Sequence, residues 1–238
     1  MRKILHILDD LAISLQAFRQ LFGIPLTYIR YGFRLPNAER YISECQYSLP
    51  FDGRWYVANG GITKETSHSW GICSQRYAYD FHIVDERAQS YAGDRKVLEN
   101  YYCYKQNVLS PADGIVVTVN NGCVDSPIVE EGQATCVADD IRGNFIIIRH
   151  GKREYSLIAH LLINSICVNP GDKVTRGQII ARCGNSGNSS EPHIHFQIQA
   201  GKSFLLSTGL PIKFYNIEIG DRQLGDSFIT KEQFVRNN

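Results

Sequence analysis

The chain has 238 residues, a length that fits one large domain or one domain with a short appendage. Its apolar content of 43% is enough for a buried core, and the formal net charge is only +1. This balance excludes the bulk positive field by which many proteins bind nucleic acids or anionic membranes.

The cysteines and the N-terminal residues indicate in which cellular compartment the protein is expected. The seven cysteines are odd in number and include no Cys-x-x-Cys pair, which argues against a disulfide framework and a zinc ribbon and favours a reducing compartment. Residues 1–3 resemble the start of a signal peptide, but Asp9 and Asp10 interrupt the apolar run. No stretch reaches the roughly 18 apolar residues of a membrane helix. By sequence we therefore expect no cleavable signal, no transmembrane span and a cytoplasmic protein.

The first predicted element is a helix over residues 3–22. Residues 23–25 (Gly-Ile-Pro), which follow it, are expected to end the helix. We expect its apolar stripe to pack on the rest of the chain. A dimer seam is the weaker alternative, because fewer than three heptads fit. Residues 1–45 are accordingly predicted to be an N-terminal helical segment. The stripe consists of Ile4, Leu8, Leu11, Leu15, Phe18 and Phe22.

Residues 46–238 are predicted to form one β-rich domain. Short strands with turn signals between them indicate a mainly β fold, an antiparallel sheet, sandwich or barrel. Segment 144–150 is apolar on both faces and is expected to be a central strand, paired as a hairpin with 154–161. The longest connections are expected at 85–107 and 120–143. The other predicted strands lie at 55–58, 75–84, 115–119, within 175–182, and at 193–198.

The most informative stretch is a Gly/Asn/Ser-rich loop that ends at Pro192 and leads into an alternating segment. Alternation places His193, His195 and Gln197 on one face of a strand. Two imidazoles on one face can both reach one ion, or one can bind the ion while the other transfers a proton. Taken alone, His-x-His is equally compatible with two exposed histidines on a half-buried strand.

A catalytic zinc site needs three protein ligands, usually histidine and carboxylate, and a remaining position for water. No His-Glu-x-x-His motif occurs, so a histidine would have to act as the base. Two of the candidates also have structural explanations: Asp80 could pair with Arg76, and His160 could be a satisfied interior histidine. The candidates, on separate strands or strand ends, are His68, Asp80, His160, His193 and His195.

The order of these residues resembles that of the lysostaphin-like (LytM-like) zinc endopeptidases of peptidoglycan. The resemblance covers residues 50–200 and depends on three groups of residues. They are Ala159-His160-Leu161, then Pro170-Gly171-Asp172 with Gly177-Gln178, and finally Gly184-Asn185-Ser186-Gly187 with Pro192-His193-Ile194-His195-Phe196. It implies a barrel-sandwich sheet, a Zn²⁺ cofactor and hydrolysis of peptide bonds in peptidoglycan stems or cross-bridges.

The resemblance also implies residue roles. Zinc would be bound by His68, Asp80 and His195, and the two non-ligand histidines, His160 and His193, would be catalytic. One departure concerns the first ligand, since the family places it four residues before the aspartate, whereas eleven residues separate His68 from Asp80. His82, on the same strand face as Asp80, is the alternative ligand.

In the implied mechanism, zinc activates a water molecule and polarises the scissile carbonyl, and His160 or His193 takes and returns the proton. Alternation places His160 on the face of Ser156 and Ile158, which must then face the cleft. The loop residues expected to contact the substrate are Asn185, Ser186 and Asn188.

Three other functions compete. A lipoyl-type carrier needs a modified lysine at a hairpin tip, and loop 184–192 contains none. A histidine phosphocarrier on a related sheet needs neither Asp80 nor His-x-His, and stoichiometric zinc would separate it from a peptidase. An inactive, metal-bearing regulator stays open because of the His68–Asp80 spacing. The resemblance implies the cell envelope or the extracellular space, in conflict with the missing export signal.

Overall fold

The computed structural model describes residues 18, 21–129 and 133–238 of the chain. The regular secondary structure of these residues is mainly strand, which confirms the predicted fold class, and a single turn of 3-10 helix occupies Leu98–Asn100. The strands are β1 (Trp55–Asn59), β2 (Tyr79–His82), β3 (Asn107–Leu109), β4 (Gly114–Asn120), β5 (Asn144–Arg149), β6 (Tyr155–Leu161), β7 (Lys173–Val174), β8 (Ile179–Arg182), β9 (Ile194–Gln199), β10 (Ile217–Ile219), β11 (Arg222–Leu224) and β12 (Phe234–Asn237).

Ten of these strands form one antiparallel sheet, in the order β11-β10-β12-β1-β2-β9-β6-β5-β4-β7, and β3 pairs with β8 in a second sheet. The three strands that carry the candidate residues, β2, β9 and β6, are neighbours in the middle of the large sheet. Both edges of each are hydrogen-bonded to another strand, so the backbone beneath the site is held on both sides.

The two faces of the sheet bury different clusters. The larger core includes Trp55, Phe81 and Phe196, and each such side chain contributes roughly 2–3 kcal/mol by leaving water. The smaller cluster, on the opposite face, consists of Phe145, Ile147, Leu157, Ala159 and Phe204. Strand β5 supplies alternate side chains to both clusters, which confirms the prediction of a central strand paired with 154–161.

A β-bulge in β6 decides where His160 lies. Between Ile158 and Leu161, two residues of β6, Ala159 and His160, lie opposite a single residue of β5. His160 adopts a left-handed backbone conformation with φ of 62°, which is uncommon outside glycine. Strict alternation would direct His160 into the larger core, but the bulge turns it to the same side as Ala159. The prediction that His160 shares the face of Ser156 and Ile158 is therefore wrong.

The predicted strand 75–84 is less than half as long as expected, because β2 spans only Tyr79–His82 and turns precede it. The turns are held by Arg76, whose Nε donates to the Trp70 carbonyl at 3.0 Å and whose guanidinium lies over the Trp70 ring. Arg76 therefore does not form the pair with Asp80 that was the structural alternative to a ligand role. The loop folds back over the start of β2, which carries His68 towards the sheet.

The N-terminal helix extends further than predicted. Most of segment 3–22 lies outside the described residues, but residues 21–30 are helical, so the predicted end at 23–25 is wrong. A Cβ at Gly23 would lie 2.2 Å from the Leu205 carbonyl oxygen, so only glycine permits this close contact between helix and domain. Thr27 Oγ1 donates to the Gly23 carbonyl at 2.8 Å.

The apolar stripe of this helix does not pack as expected where it is described. Phe18 and Phe22 are 57% and 61% exposed and contact each other, with ring centroids 4.6 Å apart. The other stripe residues lie outside the described part of the chain, and a dimer seam stays a prediction. The division at residues 45 and 46 also stays a prediction. Among the described residues, no helix has the length and apolar character needed to cross a bilayer.

Candidate metal centre and cleft

Asp80 and His195 form the centre of the candidate site. They lie directly opposite each other on β2 and β9, so their side chains project from the same face of the sheet. Nδ1 of His195 is 2.9 Å from Oδ1 of Asp80, and both side chains are buried. Asn59 Nδ2 donates to Oδ2 of Asp80 at 3.0 Å and holds the carboxylate in this orientation.

His68 completes a group of three possible metal ligands. Its Nε2 lies 3.2 Å from Oδ2 of Asp80. Ligand atoms of His68, Asp80 and His195 all lie within 4.8 Å of one another. Tetrahedral zinc with bonds of about 2.0–2.2 Å places its ligand atoms roughly 3.3 Å apart. Two imidazoles and one carboxylate at this spacing fit a catalytic zinc ion, with small side-chain movements.

A chain of glutamines determines which nitrogen of His195 is available to a metal. The Gly201 carbonyl can only accept, so it orients Gln199 Nε2 towards itself at 2.7 Å. Gln199 Oε1 then accepts from Gln197 Nε2 at 2.6 Å, and Gln197 Oε1 faces His195 Nε2 at 3.2 Å. Nε2 of His195 must therefore carry its proton. Nδ1, the atom that contacts Asp80, is then the nitrogen that would bind a metal.

His160 and His193 have the opposite arrangement, and their free lone pairs are on Nε2. Nδ1 of His160 donates to the Ser186 carbonyl at 2.8 Å, and Nδ1 of His193 donates to the Glu191 carbonyl at 2.8 Å. Burial lowers the pKa of both imidazoles, and His193 and His195 lower that of His160 further. Both are neutral near pH 7 and can accept a proton at Nε2.

Asp80 and His68 shift each other's pKa in opposite directions. Burial opposes charge on both partners, but His68 and His195 hold the pKa of Asp80 well below its usual value. The charge of Asp80 in turn outweighs burial and raises the pKa of His68. A divalent cation would displace the proton of His68 and take its place beside the carboxylate.

His82, the alternative ligand, is not among the three clustered donors. Its ring stacks on His193, with centroids 5.4 Å apart and planes 15° apart, and its Nδ1 is 3.3 Å from Oε1 of Glu191. Burial lowers the pKa of His82 to about 3, so this approach is between a neutral imidazole and a carboxylate. The geometry favours His68 over His82 as the third ligand.

Of the three loop residues expected to contact substrate, the structure brings one to the cleft. Asn188 is exposed and lines it. Ser186 is fully buried, and its Oγ donates to the Leu161 carbonyl and accepts from the Asn144 N–H. Asn185 is also fully buried. These two side chains hold the loop in place and do not reach the cleft.

The cleft in front of the ligand group has a volume of about 390 Å³. Sequence reasoning missed the parts played by Asn59 and Arg142. Asn59 faces Asp80 because a bulge interrupts β1 beside it, for which the sequence carries no signal. The residues that line the cleft are His68, Ser69, Ile72, Gln75, Asp80, Ala134, Ile141, Arg142, Ala159, His160, Asn188, Ser189, Ser190, His193, His195 and Phe204.

Comparison with known proteins identifies the class of this domain. Residues 101–205 match the model of Peptidase family M23, a segment that contains both histidines of His-x-His and begins downstream of Asp80. This match of residues 101–205 to M23 peptidases confirms the resemblance to lysostaphin-like peptidases.

The chain is homologous to "Peptidoglycan DD-endopeptidase ShyA" of Vibrio cholerae, with 26% identity over 153 residues, 62% of this chain and 30% of that protein. An "Uncharacterized metalloprotease" of Haemophilus influenzae is 34% identical over 90 residues, 38% of this chain and 15% of that protein. The chain therefore matches less than a third of the length of either relative.

Solved structures with a similar arrangement include the catalytic domain of lysostaphin from Staphylococcus simulans. It is 19% identical, with 66% of this chain and 88% of that chain covered and a TM-score of 0.38. A mutant catalytic domain of the prophage-encoded M23 protein EnpA from Enterococcus faecalis is 14% identical. There the coverage is 69% of this chain and 93% of that chain, with a TM-score of 0.43.

Proposed function

We propose that this domain is a zinc-dependent endopeptidase that hydrolyses peptide bonds in peptidoglycan stem or cross-bridge peptides. The observation that carries the proposal is that the clustered side chains form two groups, three possible metal ligands and two histidines that can transfer protons. Three donors, on His68, Asp80 and His195, converge on one point. Two further imidazoles, His160 and His193, line the same cleft with their lone pairs on Nε2.

A zinc ion held by the three donors would supply a Lewis acid that polarises the scissile carbonyl and promotes the ionisation of water. The chain's own residues do the proton chemistry. Nε2 of His160 or His193 accepts the proton of the attacking water. The carbonyls of Ser186 and Glu191 accept from Nδ1 and so stabilise the imidazolium that forms. That imidazolium then donates its proton to the leaving amine.

The substrate class follows from the family and from the name of one relative. ShyA is described as a peptidoglycan DD-endopeptidase, and this chain is homologous to it over 153 residues. Peptidoglycan lies outside the cytoplasmic membrane, so we place the site of action in the cell envelope or outside the cell. This proposal contradicts the cytoplasmic location expected from the N-terminal sequence.

The test is incubation of the zinc-loaded protein with purified peptidoglycan and with defined cross-bridge peptides, with and without a chelator. Mass spectrometry should detect new amino termini that disappear when the chelator is present. The matched variants are Asp80→Asn, which should lose both zinc and turnover, and His193→Gln, which should keep zinc and lose turnover. Stoichiometric zinc without any cleavage would instead indicate an inactive relative.

A further inference from the structure

Arg142 lies on the wall of the cleft and is held there by Asp140. Its Nε donates to Oδ1 of Asp140 at 2.9 Å, and its Nη2 donates to Oδ2 at 2.6 Å. The main-chain N–H of Arg142 also donates to Oδ1, at 2.9 Å. This two-point contact fixes the plane of the guanidinium before any ligand binds.

Two aromatic rings hold the flat side of the same guanidinium. Its central carbon lies 3.8 Å from the ring centroid of Phe145 and 5.1 Å from that of Phe204. A stacked guanidinium loses little further conformational entropy when it forms hydrogen bonds. Arg142 is therefore a rigid donor group, 17% exposed, at the edge of the cleft.

The outer edge of the guanidinium is available to a ligand. A guanidinium has five N–H groups, and Asp140 takes one on Nε and one on Nη2. Nη1 donates to no group within the part of the chain that the structure describes. The Nη1–Nη2 edge therefore has the parallel pair of donors that matches the two oxygens of a carboxylate.

The position of Arg142 connects this edge to the reacting bond. The Arg142 carbonyl accepts the His160 N–H at 3.1 Å, at the bulge that directs His160 into the cleft. Apart from the histidines, the charged residues among the described residues that line the cleft are Arg142 and Asp80. Asp80 is committed to the ligand group. Histidines aside, Arg142 is then the charged side chain of the described cleft lining that can discriminate between substrates.

We propose that Arg142 binds a carboxylate of the substrate peptide beside the scissile bond, and that the enzyme prefers peptides with that carboxylate free over their carboxamide forms. The inference rests on the proposed function and adds a substrate class to it. A purely structural alternative is that the pair with Asp140 only holds the turn at 139–143. That role would leave the preference for acid over amide unchanged when Arg142 is replaced.

The test uses synthetic stem-type peptides in which each carboxylate in turn is replaced by a carboxamide. For the zinc-loaded wild type, one of these replacements should lower kcat/KM by about tenfold or more, as expected for a lost charge-assisted pair. In Arg142→Gln that same replacement should have an effect of less than about twofold. Arg142→Lys should give an intermediate ratio, because lysine keeps the charge but not the paired donors.

Binding is measured as well, so that the outcome does not depend on turnover. Calorimetric titration of zinc-loaded His193→Gln, with and without Arg142→Gln, should show the same acid preference and the same loss. Arg149→Gln, an exposed arginine outside the cleft, is the matched control and should keep the wild-type ratio. Equal acid-to-amide ratios with and without Arg142 would overturn the inference. Lack of cleavage with a normal binding preference would overturn the proposed activity alone.

Discussion

Asp80 on β2 lies directly opposite His195 on β9, and Oδ1 of Asp80 is 2.9 Å from Nδ1 of His195. In a sheet, a slip of one residue moves every side chain of a strand to the other face. The register of β2 against β9 is held by Phe81 and Phe196, which alternate with the site residues and are fully buried in the larger core. The packing of that core therefore also positions the metal ligands.

Replacement of the two competing histidines should decide the third ligand. We expect His68→Ala to lose stoichiometric zinc, because its Nε2 is part of the donor group beside Asp80. His82→Ala should retain zinc, because the His82 ring stacks on His193 outside that group. Zinc is measured by plasma mass spectrometry after gel filtration, with circular dichroism as the control for folding. Zinc loss in His82→Ala alone would reverse the assignment.

Disruption of the glutamine chain should weaken zinc binding. Gln197→Leu removes the acceptor of His195 Nε2–H, so the ring is no longer held in the tautomer that presents Nδ1. We expect zinc affinity to fall by about tenfold, the usual effect of losing such a supporting hydrogen bond. Gln199→Leu should have a smaller effect, because Gln197 remains. Competition with a chromophoric chelator gives both constants, and an unchanged affinity in Gln197→Leu would contradict the tautomer argument.

Zinc affinity should fall as the pH is lowered. Burial opposes protonation of His68, but the charge of Asp80 outweighs it, and the pKa of His68 lies above its usual 6.5. Because only the neutral imidazole binds a metal, the apparent affinity should drop about tenfold per pH unit below that pKa. Chelator competition between about pH 8 and pH 5.5 measures the slope. An affinity that does not change over this range would show that His68 is not a ligand.

A buried carboxylate outside the site should stabilise the fold in a pH-dependent way. Glu154 is 1% exposed and accepts hydrogen bonds from the hydroxyls of Tyr41, Ser43 and Tyr47 and from the main-chain N–H of Glu44. Burial raises the pKa of Glu154, but these hydrogen bonds outweigh it and the net pKa is lowered. We expect Glu154→Gln to cost about 3 kcal/mol at pH 7.

The sign of the pH effect follows from the lowered pKa. The stability that Glu154 contributes is fully present above its ordinary pKa of 4.5 and is lost as the pH falls through the lower value in the folded protein. Urea unfolding of the wild type and of Glu154→Gln should therefore give free energies of unfolding that converge under acid conditions. A constant difference at every pH would show that the charge of Glu154 contributes nothing.

Local pattern was sufficient for the strands and for part of the site. The alternation in 193–198 placed His195 and Gln197 on one face, and the doubly apolar segment 144–150 became the central strand β5. Motif order, through the family resemblance, added His160 and His193. The strand predictions succeed because a strand repeats every two residues, so the side-chain direction can be read without knowledge of the neighbouring strands.

Only the tertiary structure decided the remaining features. Alternation alone placed His160 in the wrong direction, because the bulge in β6 depends on its pairing with β5. His68 reaches Asp80 because a loop folds back over β2. Asn59 reaches Asp80, and Arg142 reaches the cleft, by contacts between distant segments. Bulges and loop paths are set by hydrogen bonds and packing between residues far apart in the chain. A local periodicity does not contain that information.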